Sequence, residues 1–366
     1  MRILVLNQYF PPDPAPTGIL FNEVAEALEA RGHHVQFLDA GQRYREGQKH
    51  SGRMVRELSA LFGMLWRGVL ARRPDLVISG TSPPCLAFVA HSIARRHQAR
   101  SIHWCMDLYP EIAVALGEIK PGLLPRTISA MMGRSYRQAS TVVALDEDMA
   151  KRLRRYGVNV EIIRPWVTRG HILSSHPSPV RGPWSWLYSG NLGRAHEWLT
   201  ILEAQAILER EGADIRLVFQ GGGPSWAMAQ RKAEAMGLRN VEWRPYTPEG
   251  ELRASLLAAE CLIVSQRPEV SGMLWPSKLA LLLALPRPII FIGPPDGDIA
   301  RSLNALRHEG VFAPGNAREV ANWLINLRAG ARSVKSEAVI NADEHRATSI
   351  LKWVSICEGS PPTKVG

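Results

Sequence analysis

Short, wholly apolar segments alternate along the chain with longer segments in which apolar residues recur at helical spacing. Residues 3–6 are uniformly apolar, and a Pro-rich loop follows them. Residues 19–31 then place Leu20, Val24 and Leu28 on one helical face before Gly32. Residues 35–38 predict the next strand. This order of strand, loop, helix and strand is typical of the start of a doubly wound α/β domain.

The alternation runs to about residue 157, breaks, and then resumes. Strands are predicted at residues 76–79, 101–106 and 141–145, with helices at 86–96, 124–138 and 148–156. Residues 171–183 contain Ser, Pro and Gly without an apolar period, which predicts a linker. Beyond it, strands at 186–189, 215–220, 241–243, 261–265 and 288–292 alternate with helices at 199–211, 227–236, 249–259, 278–285 and 317–327.

The fold class is therefore α/β, with two Rossmann-like doubly wound domains that face a cleft. Ligands of open α/β sheets bind beyond the carboxyl ends of the strands, so we expect the ligand in that cleft. The predicted domains are residues 1–175 and 176–345. Residues 346–366 follow them, with a helix at about 347–357 and a disordered tail from residue 358.

Composition excludes several classes of protein. The longest apolar stretch, residues 279–293, is broken by Pro286, Arg287 and Pro288, so we expect no transmembrane helix. The apolar run at the N-terminus is too short for a signal peptide. The four Cys are scattered without a CxxC pair, which is typical of reduced cytosolic thiols and not of disulfides or a zinc site. We therefore expect a cytoplasmic protein without a bound metal.

The net charge of +10 is concentrated in the first half of the chain. Residues 1–178 hold 23 Lys and Arg against 15 Asp and Glu, whereas residues 179–366 hold 21 against 19. Such a field attracts anionic lipid, nucleic acid or phosphorylated substrates. Because no zinc finger, RNA-recognition motif or long basic run accompanies it, nucleic acid is not an expected partner. Residues 51–74 form a basic amphipathic pattern, which fits an anionic membrane surface or an ordinary core-facing helix equally well.

Glycine-containing loops follow three of the predicted strands. Gly18 ends the Pro-rich loop, where it could admit a phosphate to a helix N-terminus or serve only as a turn glycine. The segment Gly190-Asn191-Leu192-Gly193-Arg194 adds a guanidinium suited to oxygen anions, although a generic turn with a solvated Arg has the same pattern. In the third loop, Gly222 is the central glycine of three, which would allow a ligand close to the backbone or simply give a flexible loop.

Lys278 follows Pro276 and Ser277 at the start of a predicted helix. A Lys at the positive end of a helix dipole is unfavourable unless an anion offsets it, so Lys278 is predicted to contact a diphosphate. The alternative is a surface Lys whose ammonium reaches solvent. Asp107 and Glu111 follow a predicted buried strand, where they could bind sugar hydroxyls, act as a base or cap a helix.

These motifs occur in a fixed order over residues 3–310. The set comprises Tyr9-Phe10-Pro11-Pro12, Pro16-Thr17-Gly18, Ser82-Pro83-Pro84, Asp107-Leu108-Tyr109-Pro110-Glu111, Tyr188 to His196, Pro276-Ser277-Lys278 and Asp296 to Ala300. The ordered set resembles the family-4 glycosyltransferases of GT-B fold, in particular the bacterial branch that builds O-antigen, capsule and exopolysaccharide.

The resemblance implies acceptor binding mainly in the first domain and nucleotide-sugar binding mainly in the second. It also implies that the terminal helix, at about 347–357, crosses back to the first domain. It implies a retaining, metal-independent hexosyl- or N-acetylhexosaminyltransferase whose donor is a nucleotide-diphosphate sugar, with no further cofactor. The predicted catalytic residues are Arg194, Lys278 and Asp107, and the resemblance implies that the two cations stabilise the departing diphosphate. The resemblance also implies binding by Gly18, by the backbone of Gly190, Asn191, Leu192 and Gly193, and by Asp298 in place of the branch's usual Glu. Gly222 and Ser277 are predicted binding residues from their loops alone.

The chain departs from the family at the pair of Glu, eight residues apart, that hold donor sugar and ribose. Met273 and Leu281 occupy those positions, with Glu269 nearby, and the family's frequent His before Asp107 is Met106.

Two functions therefore remain open. One is transfer to a polyprenyl-diphosphate-linked or other saccharide acceptor by an enzyme peripheral on the inner face of the membrane. The other is a catalytically degenerate GT-B protein that binds nucleotide or glycan as an assembly partner. An epimerase of the same fold would need more acid–base groups around the sugar than the second domain supplies, and the lack of GxGxxG disfavours an NAD enzyme.

Overall fold

The computed structural model describes residues 1–13, 15–41, 53–172, 183–330 and 339–359. Most of the predicted linker (173–182) and of the predicted tail (360–366) lies outside these residues. The chain divides into two compact units. The first contains Met1–Thr168, Gly272–Trp275 and the segment that begins at Glu344, and the second contains Arg169–Ser271 and Pro276–Asp343.

The first unit is built on a six-stranded, wholly parallel sheet with the order β2-β1-β3-β4-β5-β6. Central strands such as β1 and β3 are buried on both faces, and for this reason they read as continuous apolar runs. The strands are β1 (Arg2–Leu6), β2 (His34–Leu38), β3 (Leu76–Ser79), β4 (Arg100–Trp104), β5 (Thr141–Ala144) and β6 (Val160–Ile162).

Helices connect these parallel strands, as crossovers require. They are α1 (Pro16–Glu29), α2 (Arg53–Leu70), α3 (Leu86–His97), α4 (Glu111–Ala115), α5 (Leu123–Gln138) and α6 (Glu147–Arg154). The connection through α1 steps along the sheet in the opposite direction from the connections through α2, α3 and α5. Right-handed crossovers therefore place α1 on one face of the sheet and α2, α3 and α5 together on the other.

A C-terminal helix, which starts from Ala342 and ends at Glu358, joins the first unit from Glu344 onward. Its Arg346 forms an ion pair with the buried Glu23 of α1 at 2.7 Å, and Glu23 also accepts a hydrogen bond from the indole of Trp166. Trp353 packs against Trp104 with ring centroids 4.6 Å apart. The ion pair with Arg346 offsets part of the cost of burying the Glu23 carboxylate.

The second unit repeats the architecture with the strand order β12-β11-β10-β7-β8-β9, again all parallel. The strands are β7 (Ser185–Asn191), β8 (Arg216–Gly222), β9 (Val241–Arg244), β10 (Cys261–Ser265), β11 (Ile289–Ile292) and β12 (Gly310–Phe312). The helices are α7 (Arg169–Ile172), α8 (Leu199–Arg210), α9 (Trp226–Ala235), α10 (Glu249–Leu257), α11 (Leu279–Leu283), α12 (Asp298–Ala305), α13 (Ala317–Arg328) and, finally, the C-terminal helix α14 (Ala342–Glu358).

Both doubly wound sheets confirm the predicted fold class. The chain reverses its direction along the sheet between β1 and β3 in the first unit and between β7 and β10 in the second. At such a switch point the loops after the two strands diverge and leave space for a ligand. None of the helices in the described parts of the chain combines the length and the apolar composition needed to cross a bilayer.

One predicted helix proved too long. Residues 278–285 were expected to be helical, but α11 covers only Leu279–Leu283, and Lys278 precedes it. A five-residue helix is too short to support the dipole argument for Lys278. The case for this residue depends instead on its burial.

Candidate functional site

At the carboxyl ends of β7 and β8 the two backbones lie so close together that only glycine fits. Gly190 and Gly221 are direct neighbours in the parallel pair. Gly221 has a φ of +135°, and a Cβ at this position would lie 2.2 Å from the carbonyl oxygen of Gly190. Gly223 has a φ of +127°, and its Cβ would lie 2.2 Å from Oδ1 of Asn191. These glycines therefore bring two loop backbones into contact beside the switch point.

Hydrogen bonds then fix the loop. The N–H of Leu192 donates to the carbonyl of Gly222 at 2.6 Å, and the N–H of Ser225 donates to the carbonyl of Leu192 at 3.0 Å. Because the amide of Leu192 is already bonded within the loop and its side chain is fully buried, we revise its predicted role from a phosphate contact to holding the loop in place.

Lys278 lies beside this loop with its ammonium buried. Its Nζ has no hydrogen-bond partner and lies 3.2 Å from the centroid of the Tyr188 ring. A Cβ on Gly190 would be 3.9 Å from the same nitrogen. Burial lowers the pKa of Lys278 well below its ordinary value. An unpaired buried ammonium is costly, so this position is prepared for an anion.

Tyr188 is held rigidly under Lys278. Its hydroxyl donates to the carbonyl of Asn191 at 3.0 Å, and its ring packs against Phe219, which stacks on Trp243 with centroids 4.6 Å apart. A cation over an aromatic face gains electrostatic energy that partly offsets desolvation. The aromatic column thus supplies a fixed base for the ammonium.

His196 completes the surroundings of Lys278. Burial, reinforced by the positive charge of Lys278, lowers the pKa of His196 to about 3, so the ring is neutral at physiological pH. Its Nδ1 lies 2.9 Å from the carbonyl oxygen of Ser265 at the end of β10. A neutral imidazole can only donate there, which leaves Nε2 as the acceptor. The contact also ties the loop after β7 to β10 across the switch point.

Other predicted site residues lie near this region or elsewhere. Arg194 is exposed in the turn after β7, and Ser277 is exposed immediately before Lys278. Asp298 is buried as the first residue of α12 and pairs with Arg301 at 3.4 Å. Gly18 belongs to the first unit, where a Cβ would lie 2.5 Å from the carbonyl oxygen of Tyr9. Close packing within that unit thus accounts for Gly18, and its contact with phosphate stays a prediction.

The first unit presents a half-buried carboxyl group beyond β4. Burial raises the pKa of Asp107 to about 6. Thr81, in the loop after β3, accepts hydrogen bonds from the N–H of Met106 at 2.6 Å and of Asp107 at 3.3 Å. Asp107 also pairs antiparallel with Leu274 of the short segment Gly272–Trp275. A carboxyl that titrates near neutrality suits a general base.

Glu111 lies deeper in the same unit. Its Oε1 accepts hydrogen bonds from Ser129 at 2.6 Å and from Tyr156 at 2.7 Å, whereas Oε2 is buried without a partner. The neighbouring His103 is also buried, and burial lowers its pKa to about 3. Glu111, Ser129 and Tyr156 form a hydrogen-bonded network, whereas His103 pairs with Ser79 at 3.0 Å. Glu111 begins α4, in agreement with its expected place in a first helical turn.

Comparisons with known proteins accord with this architecture. The family model described as a glycosyl transferase 4-like domain matches residues 18–166. Over 335 residues the chain is 24% identical to a candidate colanic acid biosynthesis glycosyl transferase, WcaI of Escherichia coli (strain K12), covering 78% of this chain and 81% of that protein. The chain is similar to the family-4 glycosyltransferases and shares their GT-B fold.

Solved structures share the fold of this glycosyltransferase at low sequence identity. The sucrose-phosphate synthase of Thermosynechococcus elongatus superposes with a TM-score of 0.68 at 14% identity, covering 98% of this chain and 97% of that one. Anabaena HepE, determined in complex with UDP and glucose, gives a TM-score of 0.64 at 13% identity with 98% of each chain covered.

The positions of the family's two Glu are apolar in this glycosyltransferase and also buried. Met273 is 9% exposed and Leu281 8% exposed. The carbonyl of Met273 accepts a hydrogen bond from the N–H of Leu108 within the first unit. Glu269 is exposed and pairs with Arg267 at 3.2 Å. A backbone hydrogen bond and Arg267 together hold the pKa of Glu269 below its usual range.

Sequence reasoning assigned no role to Tyr188 or His196, although both lie in a motif that it singled out. The signal was weak because an aromatic residue inside a buried strand is normally core. Tyr188 is singled out only because the Lys278 ammonium packs on its ring.

Proposed function

We propose that this glycosyltransferase moves a hexosyl or N-acetylhexosaminyl group from a nucleotide diphosphate to a polyprenyl-diphosphate-linked acceptor, with retention of anomeric configuration and without a metal ion. The proposal assigns it to cell-surface polysaccharide synthesis. The relative WcaI, named for colanic acid biosynthesis, supports this assignment. The complex of HepE with UDP and glucose supports a nucleotide-sugar donor.

The observation that carries the proposal is the buried, unpartnered ammonium of Lys278 beside the glycine loop. A diphosphate placed there supplies the missing negative charge. As the bond between the anomeric carbon and the diphosphate oxygen breaks, negative charge grows on that oxygen. A cation in a desolvated site stabilises this charge more than it stabilises the intact donor, and so it lowers the barrier.

Arg194 is proposed as the second cation on the departing diphosphate. The guanidinium is exposed in the turn after β7, where its planar donors suit phosphate oxygens. Gly190 and Gly193 would let the diphosphate approach the backbone of the same turn. Asp298 is proposed to lie near the nucleotide, at the start of α12.

Asp107 is proposed to act on the acceptor within the first unit. Transfer forms a bond between the acceptor oxygen and the anomeric carbon, and the acceptor hydroxyl must lose its proton. With a pKa of about 6, the carboxylate of Asp107 is largely ionised at pH 7 yet still basic enough to accept that proton.

Calorimetric titration with UDP, GDP, dTDP, ADP and CMP tests the donor site. We expect one diphosphate to bind the wild type and Lys278→Ala to weaken that binding by about 100-fold, since removing a charged partner from a buried phosphate costs roughly 3 kcal/mol. Lys232→Ala changes an exposed Lys of α9 and is the matched control.

Equal affinity of wild type and Lys278→Ala for every diphosphate would contradict the site. Binding of one diphosphate that depends on Lys278, followed by sugar transfer to a lipid-linked acceptor, would support the whole proposal.

A second candidate is a catalytically degenerate GT-B protein that binds nucleotide or glycan as an assembly partner. The apolar, buried residues Met273 and Leu281 at the two Glu positions favour it. Donor binding that depends on Lys278, without donor hydrolysis or transfer to any cell-envelope lipid, would favour this candidate over the enzyme.

A further inference from the structure

Helix α2 carries a row of large apolar side chains that point away from the protein. Their exposed fractions lie between 60% and 71%. We call this row the apolar stripe; it consists of Val55, Leu58, Phe62, Trp66 and Leu70. Spacings of three and four residues keep these side chains along one side of the helix.

The opposite side of α2 already faces the core. Ala60 and Met64 are buried, and Leu61, Leu65 and Val69 pack against the cluster formed by β1, β3 and α3. A surface helix normally turns polar residues to water once its apolar face is covered. The apolar stripe therefore leaves a contiguous apolar surface with no role in folding, and such surfaces mark interaction sites.

The helices around the apolar stripe are strongly basic. Helices α2, α3 and α5, which share one face of the sheet, together carry eight Arg and one Glu, a net charge of +7. Helix α1 on the other face carries three Glu and no basic residue, a net charge of −3. Charge is thus separated between the two faces of one sheet, and we call the face of α2, α3 and α5 the basic layer.

Further apolar residues extend the surface along the basic layer. Helices that follow parallel strands all begin at the carboxyl edge of the sheet, so α2, α3 and α5 begin at the same edge. Near their starts lie Leu58 of α2, Phe88 of α3, and Leu123 and Leu124 of α5, all exposed. Toward the other ends lie Trp66 of α2 and, on α3, Arg95 and Arg96, all three exposed.

We propose that the apolar stripe and the basic layer form a docking surface for the headgroup region of an anionic phospholipid bilayer. Apolar side chains on a helix lying in the membrane plane bury among acyl chains, while flanking arginines attract anionic headgroups. A Trp on the stripe fits the interface, where its ring is partly apolar and its N–H remains hydrated. Charge decides the occupant, because two copies of the +7 layer would repel one another.

This inference goes beyond the proposed transferase reaction, since it concerns a surface that the donor site does not include. Lipid binding and nucleotide binding are measured separately and can therefore fail separately. A protein that binds a diphosphate but no lipid would overturn the docking surface and leave the donor site standing.

Flotation of the full chain with vesicles tests the proposal. Vesicles of phosphatidylcholine alone would be compared with vesicles that also contain roughly 30% of the anionic lipid phosphatidylglycerol. Each comparison would be made at low and at high salt. We expect binding to the anionic vesicles that weakens with salt. The double variant Phe62→Ser/Trp66→Ser should bind at least tenfold more weakly, because it removes the two largest side chains of the apolar stripe, which the bilayer would bury.

The control is the double variant Met228→Ser/Leu351→Ser. Both residues are about as exposed as the stripe, at 51% and 52%, and both lie in helices outside the basic layer. Its vesicle binding should match the wild type. Matching thermal unfolding of the two double variants would show that a difference in binding is not a difference in folding.

Two further variants separate charge from insertion. Arg95→Glu/Arg96→Glu should weaken binding to anionic vesicles at least tenfold, since each basic residue near the surface contributes roughly fivefold. Trp66→Phe should bind normally but lose fluorescence quenching by brominated lipid, because Trp66 is the one Trp among the exposed large hydrophobic residues of the described chain.

Several results would overturn the proposal. They are no binding to anionic vesicles, equal binding by the stripe variant and its control, or unchanged quenching in Trp66→Phe. A wild-type dimer that becomes monomeric in Phe62→Ser/Trp66→Ser, without lipid binding, would assign the surface to a second copy of this chain instead.

Discussion

The two sheets have the same construction, yet each holds an ionisable group of opposite sign near its carboxyl edge. The second unit buries the ammonium of Lys278 beside a loop of glycines. The first unit holds the half-buried side chain of Asp107, whose N–H donates to Thr81. Burial disfavours the charged form in both cases, so it lowers the pKa of Lys278 and raises that of Asp107.

The consequence for chemistry differs between the two units. A cation that lacks a counterion binds an anion tightly, which suits a leaving diphosphate. A carboxyl with a raised pKa accepts a proton near neutrality, which suits an attacking hydroxyl. The two units would therefore serve different chemistry at corresponding edges of similar sheets.

The largest expected effect is from Asp107→Asn. We expect sugar transfer to fall by about 10²- to 10³-fold, the usual contribution of a general base, with diphosphate affinity unchanged. In the wild type the rate should rise with pH through about 6, as the carboxylate forms. The variant should lack this limb of the pH profile of kcat/KM for the acceptor, which reports the pKa of the enzyme before the acceptor binds.

The same variant should be more stable than the wild type at pH 7. A folded-state pKa raised above 3.8 means that the folded protein binds more protons, so stability falls as pH rises through the window from 3.8 to about 6. Asn removes this loss. Unchanged activity, or a loss of stability at pH 7, would contradict the comparison, and Asp214→Asn at an exposed site is the control.

Gly221→Ala should have the next largest effect, on stability. The new Cβ would lie 2.2 Å from the carbonyl oxygen of Gly190 at a φ of +135°, so we expect a loss of about 2 kcal/mol or more in urea unfolding together with weaker diphosphate binding. Gly18→Ala in the first unit should also destabilise, because its Cβ would lie 2.5 Å from the oxygen of Tyr9.

The pair of glycine variants separates the two units. Diphosphate affinity weakened equally by both would show that Gly18 also serves the donor. Gly250→Ala, with no atom within 4 Å and no positive φ, is the control and should be neutral or slightly stabilising.

The smallest expected effect concerns the aromatic base of Lys278. Tyr188→Leu removes the ring face and should weaken diphosphate binding by about tenfold, whereas Tyr188→Phe keeps the face and should bind nearly normally. Burial lowers the pKa of Lys278, whereas a bound diphosphate favours its charged form. At a pH above the lowered pKa, the protein should therefore take up a proton when the diphosphate binds.

Calorimetry in two buffers of different ionisation enthalpy measures this uptake. His196, whose pKa of about 3 keeps it neutral, and Tyr188, whose pKa burial raises well above its usual value, contribute nothing near neutrality. Uptake that persists in Lys278→Ala would contradict the assignment to Lys278.

The long periodic segments were predicted well from the sequence. Helices expected at residues 199–211 and 317–327 are observed as Leu199–Arg210 and Ala317–Arg328. The three-residue strands β6 and β12 were missed. Both lie at sheet edges and are too short to show a period, so pairing with a neighbouring strand defines them.

In the site, the sequence indicated Lys278, the glycine loop and Asp107, because their residue types are unusual after buried strands. Leu192 was predicted to contact phosphate, but its N–H is already hydrogen-bonded within the loop. Lys278 was predicted from the dipole of a helix that is shorter than expected. Main-chain bonding and helix length depend on neighbours that lie far away in sequence.

Composition and apolar period by themselves determined the two doubly wound sheets, since each strand and helix must bury an apolar face wherever it lies. They also placed the basic amphipathic segment, but not the direction in which its apolar residues point. Only tertiary structure decided that the apolar stripe is exposed, that Tyr188 lies under Lys278 and that no counterion accompanies this ammonium among the described residues. The reason is that burial and charge pairing are properties of three-dimensional neighbourhoods, whereas periodicity is a property of the chain.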